Sequence, residues 1–167
     1  MKPLEPPETH HLSAAVGWLG LGNIGEAQAE LAHIGPGFQN HPDVLELRWW
    51  LCAEQQHWEE GLQIARSLLH HAPERSSGWL HQAYALRRVP EGSVKAAWKA
   101  LLPAFDKFPQ ESIISFNLSC YACQMRQLEA ARVWLKRALV IGGKTKIKKT
   151  ALQDPDLEAL WEEIKEM

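Results

Sequence analysis

The sequence predicts an all-α fold, an α-solenoid of about four helix hairpins with a C-terminal capping helix pair. Three observations carry this. In residues 115–143, apolar side chains recur at i, i+3, i+4 and i+7 on both sides of a turn at Arg126–Gln127: Phe116, Leu118, Ala122 and Met125, then Leu128, Ala131, Leu135, Ala138 and Leu139. That spacing buries one stripe per helix, and the small residues let two antiparallel helices approach closely. Second, a small residue early in the second helix of each pair recurs as Ala27, Gly61, Ala97 and Ala131, separated by 34, 36 and 34 residues. Third, prolines follow the second helix of two units, at Pro73 and Pro109. A lone hairpin cannot hide its outward stripe, so repeated hairpins are expected to stack.

In chain order, residues 1–9 hold Pro3, Pro6 and Pro7 and read as an extended or disordered tail. The first unit spans about 10–41, with a helix from Leu12 to about Leu21 and a partner from Ile24 to Ile34. Core candidates are Ala14, Ala15, Trp18 and Leu19. The second unit, about 42–75, starts at NHPDV. Asn40 or His41 can cap, Pro42 suits the first helical position, and Asp43 suits the positive end of the dipole. Its partner helix runs from Trp58 to His71. The third unit, about 76–111, opens at Ser76 or Ser77 and runs through Arg88. Pro90 breaks the chain there, and a helix from Gly92 to Phe108 contains Pro103, which predicts a kink or an early end. The fourth unit is about 112–143. In 144–167, KTKIKKTALQ reads as a short basic helix. Asp154 caps and Pro155 starts a last helix whose apolar stripe is Leu157, Leu160, Trp161 and Ile164, while Glu158, Glu162, Glu163 and Lys165 face water.

A 34-residue period with one helix–turn–helix per unit is the tetratricopeptide signature. Residues 8–143 resemble that family in spacing, and the resemblance implies that the all-α solenoid is right-handed. Trp79 stands as the large aromatic early in a first helix, Ala83 where the family has a tiny residue, and Leu118, Ser119 and Ala122 take the corresponding roles in the fourth unit. Arg48 and Trp49 replace a Leu–Gly pair, which predicts looser or rotated packing in the second unit.

Composition excludes several classes. A formal net charge of −2 gives no basis for non-specific nucleic-acid binding. No apolar run approaches the roughly 18 residues of a membrane helix. The first residues, MKPLEPPETHH, lack a secretory apolar core, so a cytoplasmic location is expected. Three cysteines make no disulfide framework. Cys120 and Cys123 form C-x-x-C, but in mid-helix and without a second ligand pair, so they read as small packing residues. None of the eight histidines falls in a ligand spacing such as H-E-x-x-H, and they read as surface and loop residues. Lys144, Lys146, Lys148 and Lys149 read as a solvated face. No catalytic, metal or cofactor site is expected, and the chain is read as a non-enzyme.

The resemblance implies that the first helices line a concave face. The inward positions carry over to Leu12, Val16 and Leu19; to Glu46, Trp50 and Ala53, with Glu54 alongside; to His81, Tyr84 and Arg88, with Arg87 beside them; and to Phe116, Asn117, Cys120 and Gln124. Trp50, Tyr84 and Phe116 would form an aromatic ladder, with Glu46 and Glu54 on one side and Arg87 and Arg88 on the other. Aromatic and arginine side chains are the usual anchors of interfaces. Some family members grip a C-terminal carboxylate with Lys, Asn and Arg; Leu12, Val16, Glu46 and Trp50 stand at the comparable positions here. The expected partner is therefore an internal helix or extended peptide of another protein. The function implied is an interaction adaptor or chaperone-like holder. The alternative is a self-assembling structural module, a weak homo-oligomer, whose groove takes its own N-terminal tail or a neighbouring copy.

Overall fold

A computed structural model describes residues 2–167. Among them are ten α-helices and two 3-10 segments, with no strand. The chain divides into two compact units, one ending at His81 and the other running from Gln82 to Met167. The first holds α1 (Glu8–Gly20), α2 (Ile24–Ala32), α3 (Pro42–Glu54) and α4 (Trp58–His71). The second holds α6 (Val94–Lys107), α7 (Ser112–Gln124), α8 (Leu128–Gly142), α9 (Lys144–Ala151) and α10 (Trp161–Glu166); α5 (Ser76–Leu86) carries the boundary.

The repeat beat is visible in the cores. At the small-residue position and at four and seven residues beyond it stand Ala27, Leu31, Ile34; Gly61, Ala65, Leu68; Ala97, Leu101, Ala104; and Ala131, Leu135, Ala138. All twelve are buried. The facing position in the first helices is Ala15, Trp49, Ala83 and Ser119, all buried as well. Ser119 Oγ donates to the Ala131 carbonyl at 2.8 Å, tying α7 to α8. Trp49 is the exception in size. Its ring lies flat on His81, with centroids 3.7 Å apart, and its indole edge borders Gly61. The large residue expected to loosen the second repeat, about 42–75, is core there.

Turns follow the same beat. Gly22 (φ 74°) and Gln56 (φ 58°) stand 34 residues apart, and Arg126 (φ 59°) ends α7 in the same way. A left-handed residue is a common helix terminator, and Gly takes that conformation without strain.

Several boundaries differ from the sequence reading. The first helix begins at Glu8 rather than Leu12, with an acidic residue in its first turn. Leu4 packs against the first core, and the Lys2 ammonium sits 5.5 Å from the Phe38 ring centroid. His41 Nδ1 accepts from the Asp43 amide, with Pro42 first in α3 as expected. α6 starts at Val94, where Ser93 Oγ accepts from Ala96 N. It continues past Pro103 to Lys107 rather than ending early. Pro103 and Lys99 lie on the exposed side, so water can serve the carbonyl that Pro103 cannot reach. Trp18, expected in the core, leaves 36% of its surface exposed. The last helix is split into a 3-10 segment, Pro155–Leu160, and α10. Asp154 caps it by accepting from Asp156 N at 2.9 Å, and Leu157, Leu160 and Ile164 are buried. Trp161 is half-buried and donates from Nε1 to the Ala151 carbonyl.

Candidate functional site

In the first unit, α1 and α3 leave a cleft of about 480 Å³, lined by Leu12, Val16, Leu19 and Gly20 on one side and by Asp43, Glu46, Leu47 and Trp50 on the other. The spacing explains the lining. Residues 12, 16 and 19 share one face of α1, and 43, 46, 47 and 50 share one face of α3. Val16 is 54% exposed and Trp50 47%, so large apolar surface meets solvent inside a concavity. Isolated exposed apolar residues are ordinary; a contiguous set within a cleft is a recognised mark of a binding surface.

The acidic groups of this cleft are already engaged. Asp43 pairs with Arg75 at 2.5 Å. Glu46 Oε1 lies 2.7 Å from His81 Nε2, and Ser77 Oγ donates to Glu46 Oε2 at 2.9 Å. Burial alone would push the Glu46 carboxyl up. The hydrogen bond and charge of His81, with help from Ser77 and Arg75, outweigh it and hold the carboxyl below its usual range. His81 is in turn clamped flat on Trp49, and Trp50 meets both rings edge-on, at 5.6 Å from His81 and 5.2 Å from Trp49. The Trp50 ring is thus oriented from behind by a buried network while its outer part stays in water.

A second hollow of about 380 Å³ lies on the other face of α3, among Arg48, Gln55, His57 and Glu60. Its lining is more polar, and it contains neither Val16 nor Trp50.

The second unit treats the corresponding positions differently. Arg87 makes two hydrogen bonds to Asp156, Nη1 to Oδ2 and Nη2 to Oδ1, and its guanidinium lies 5.5 Å from the Tyr121 ring centroid. Gln124 Nε2 donates to the Asp156 carbonyl at 3.1 Å, and the Cys120 thiol faces Asp154 Oδ2 at 3.7 Å. The turn Asp154–Pro155–Asp156 therefore lies over this part of α7. Phe116 and Cys120 are buried. Tyr84 is 38% exposed, with the Arg88 guanidinium 3.4 Å above its ring, and Asn117 is turned back onto the Ile113 carbonyl. Glu54 is exposed at the end of α3, outside the cleft lining. The ladder of three aromatics is not uniform: Trp50 and Tyr84 keep open surface and Phe116 does not.

The covering segment comes from the C-terminus. Among the described residues, none of 2–9 lines the α1–α3 cleft. The sequence carries no signal for this. Asp154 and Asp156 read as cap and dipole residues, and nothing local ties Arg87 to a carboxylate 69 positions later.

The cysteines are buried thiols. Burial pushes Cys52 up to about 11, with Glu60 adding to it. Burial, then the Asp154 and Asp156 carboxylates, push Cys120 far higher, and burial raises Cys123. A thiol that resists ionisation is a poor nucleophile. Two groups bring metal-type ligands together: Cys120, Asp154 and Asp156; and His11, Glu30 and His33. In the first, the thiol is held protonated and the carboxylates already serve a cap and Arg87. The second escapes the sequence reading, because its members are separated by a whole hairpin turn.

No family model and no curated protein matches the sequence. Among solved structures, the chain is similar to the crystal structure of a thermophilic TPR protein of Thermus thermophilus. The TM-score is 0.71 at 16% identity, over 94% of this chain and 82% of that one. At that identity the likeness carries the fold. No helix among the described residues is long and apolar enough to cross a membrane. The chain therefore has the tetratricopeptide-repeat fold, an all-α fold of the solenoid class.

Proposed function

We propose that this chain is a protein-interaction module, a cytoplasmic adaptor or chaperone-like holder, whose binding surface is the α1–α3 cleft. The observation that carries the reading is the exposed apolar pair Val16 and Trp50 within a cavity of ligand-binding size, with Trp50 fixed from behind by Trp49 and His81. Rigid aromatic anchors lose little conformational freedom on binding. The lining holds two carboxylates and no cation. Both carboxylates are already paired, with Arg75 and with His81, so the cleft disfavours a free C-terminal carboxylate and suits an apolar helix or extended segment.

The test is a pair of substitutions, Trp50→Ala and Val16→Asp, in the full chain. A partner captured by the native protein under stringent conditions, then confirmed with purified components, should lose binding to both variants while circular dichroism stays native. Undiminished binding by both correctly folded variants removes the cleft as the site. Sedimentation of the native chain separates the self-assembly reading: a dimer that Trp50→Ala dissolves would mean a neighbouring copy fills the cleft.

A further inference from the structure

The first hairpin carries a cluster that takes no part in the α1–α3 cleft. His11 lies near the start of α1, Glu30 in the last turn of α2, and His33 directly after α2. Because the two helices run antiparallel, the start of one lies beside the end of the other. His11 Nδ1 is 2.8 Å from Glu30 Oε2. The His11 and His33 rings lie 5.0 Å apart, inclined by 19°. One ligand atom from each of the three residues lies within 4.8 Å of the other two. Donors held tetrahedrally by one zinc ion at roughly 2.0–2.1 Å stand about 3.4 Å from each other. To converge on one ion the two imidazoles must turn out of their stack, and the half-burial of His11 and Glu30 and the exposure of His33 leave them room to do so. One turn before His11, the Glu8 carboxylate lies against Gly35, 3.3 Å from where a Cβ would stand, and adds negative charge to the same end of the hairpin.

We propose that His11, Glu30 and His33 bind one divalent transition-metal ion of the Zn²⁺ or Ni²⁺ class, with water completing its shell. Two imidazoles and one carboxylate suit borderline ions; Mg²⁺ and Ca²⁺ prefer all-oxygen shells. The ion would clip α1 to the end of α2 and stabilise the hairpin by mass action. This site is independent of the partner-binding reading.

The test uses tag-free full-length protein stripped with chelator and titrated calorimetrically with Zn²⁺ alone. One Zn²⁺ per chain is expected, with a raised Tm that Mg²⁺ at the same concentration does not give. His33→Ala, at an exposed position, should fold as the native chain and lose stoichiometric binding. Glu30→Gln, which keeps the shape and the hydrogen bond to His11, should weaken it. His70→Ala with His71→Ala, a histidine pair outside the cluster, should bind like the native chain. Hydrogen exchange on Zn²⁺ addition should slow in α1 and α2 and stay unchanged in α7 and α8. Native-level binding by His33→Ala, or no binding by the native chain at micromolar Zn²⁺, overturns the site.

Discussion

One repeat position passes through four residues with four fates. Val16, Trp50, Tyr84 and Cys120 stand 34, 34 and 36 residues apart, and their exposures are 54%, 47%, 38% and 2%. The backbone element is the same in each case, the first helix of a hairpin. What differs is what the rest of the chain lays over it. α1 and α3 keep an apolar cleft open, whereas the Asp154–Asp156 turn covers α7. Repeat position thus says where a side chain points, and only the tertiary structure says whether the surface there is available.

The largest expected effect lies on the covered side. Leu157 is fully buried in the covering segment, so Leu157→Ala should lose about 2–5 kcal/mol in urea unfolding. A loss well below that range would mean the segment rests on α7 loosely and the contrast with α3 is weak. Next comes its polar anchor. Arg87→Ala removes two hydrogen bonds to Asp156 at a largely buried pair and should lose about 1.5–3 kcal/mol. An unchanged stability would mean the turn is held by its apolar residues alone.

On the open side the effects are smaller. Glu46→Gln weakens the bonds from His81 and Ser77 and should lose about 0.5–1.5 kcal/mol near neutral pH. The sign of its pH dependence follows from the lowered carboxyl. Stabilisation from the ionised form is present above the ordinary value of 4.5 and is lost as pH falls below it toward the depressed folded value. The difference between native chain and Glu46→Gln should therefore shrink below pH 4.5; a difference that grows on acidification would contradict it. Smallest of all, Val16→Ser at an exposed position should change stability by no more than about 0.5 kcal/mol. A larger loss would place Val16 in the core and close the cleft.

How much of this the sequence reveals depends on range. The small residues Ala27, Gly61, Ala97 and Ala131 and the partner helices after them are local, periodic features, and each is buried where the period places it. The α4 span is also local: an acidic first turn after His57, then Ala72 and Pro73 at its end. Trp49 is harder, since its burial depends on His81 stacking from the next helix pair. Propensity cannot say that a ring replaces a small side chain without loosening the packing. The cleft itself is half-legible. The period places Leu12, Val16 and Leu19 on the inward face, yet aromatic and charged residues draw the candidate site toward Arg87, Phe116, Cys120 and Gln124. Those are the positions that Asp154 and Asp156 approach or the core absorbs. The His11–Glu30–His33 cluster exists only once α1 and α2 lie antiparallel.

The most direct test of the open and covered faces compares two thiols at the same repeat position. All three native cysteines are buried, so the folded native chain should react slowly with a thiol reagent. Val16→Cys should add one thiol per chain that reacts at the rate of an unprotected cysteine, while Cys120 stays protected until the protein unfolds. A slow Val16→Cys thiol, or a native Cys120 that labels rapidly in the folded protein, would contradict the account.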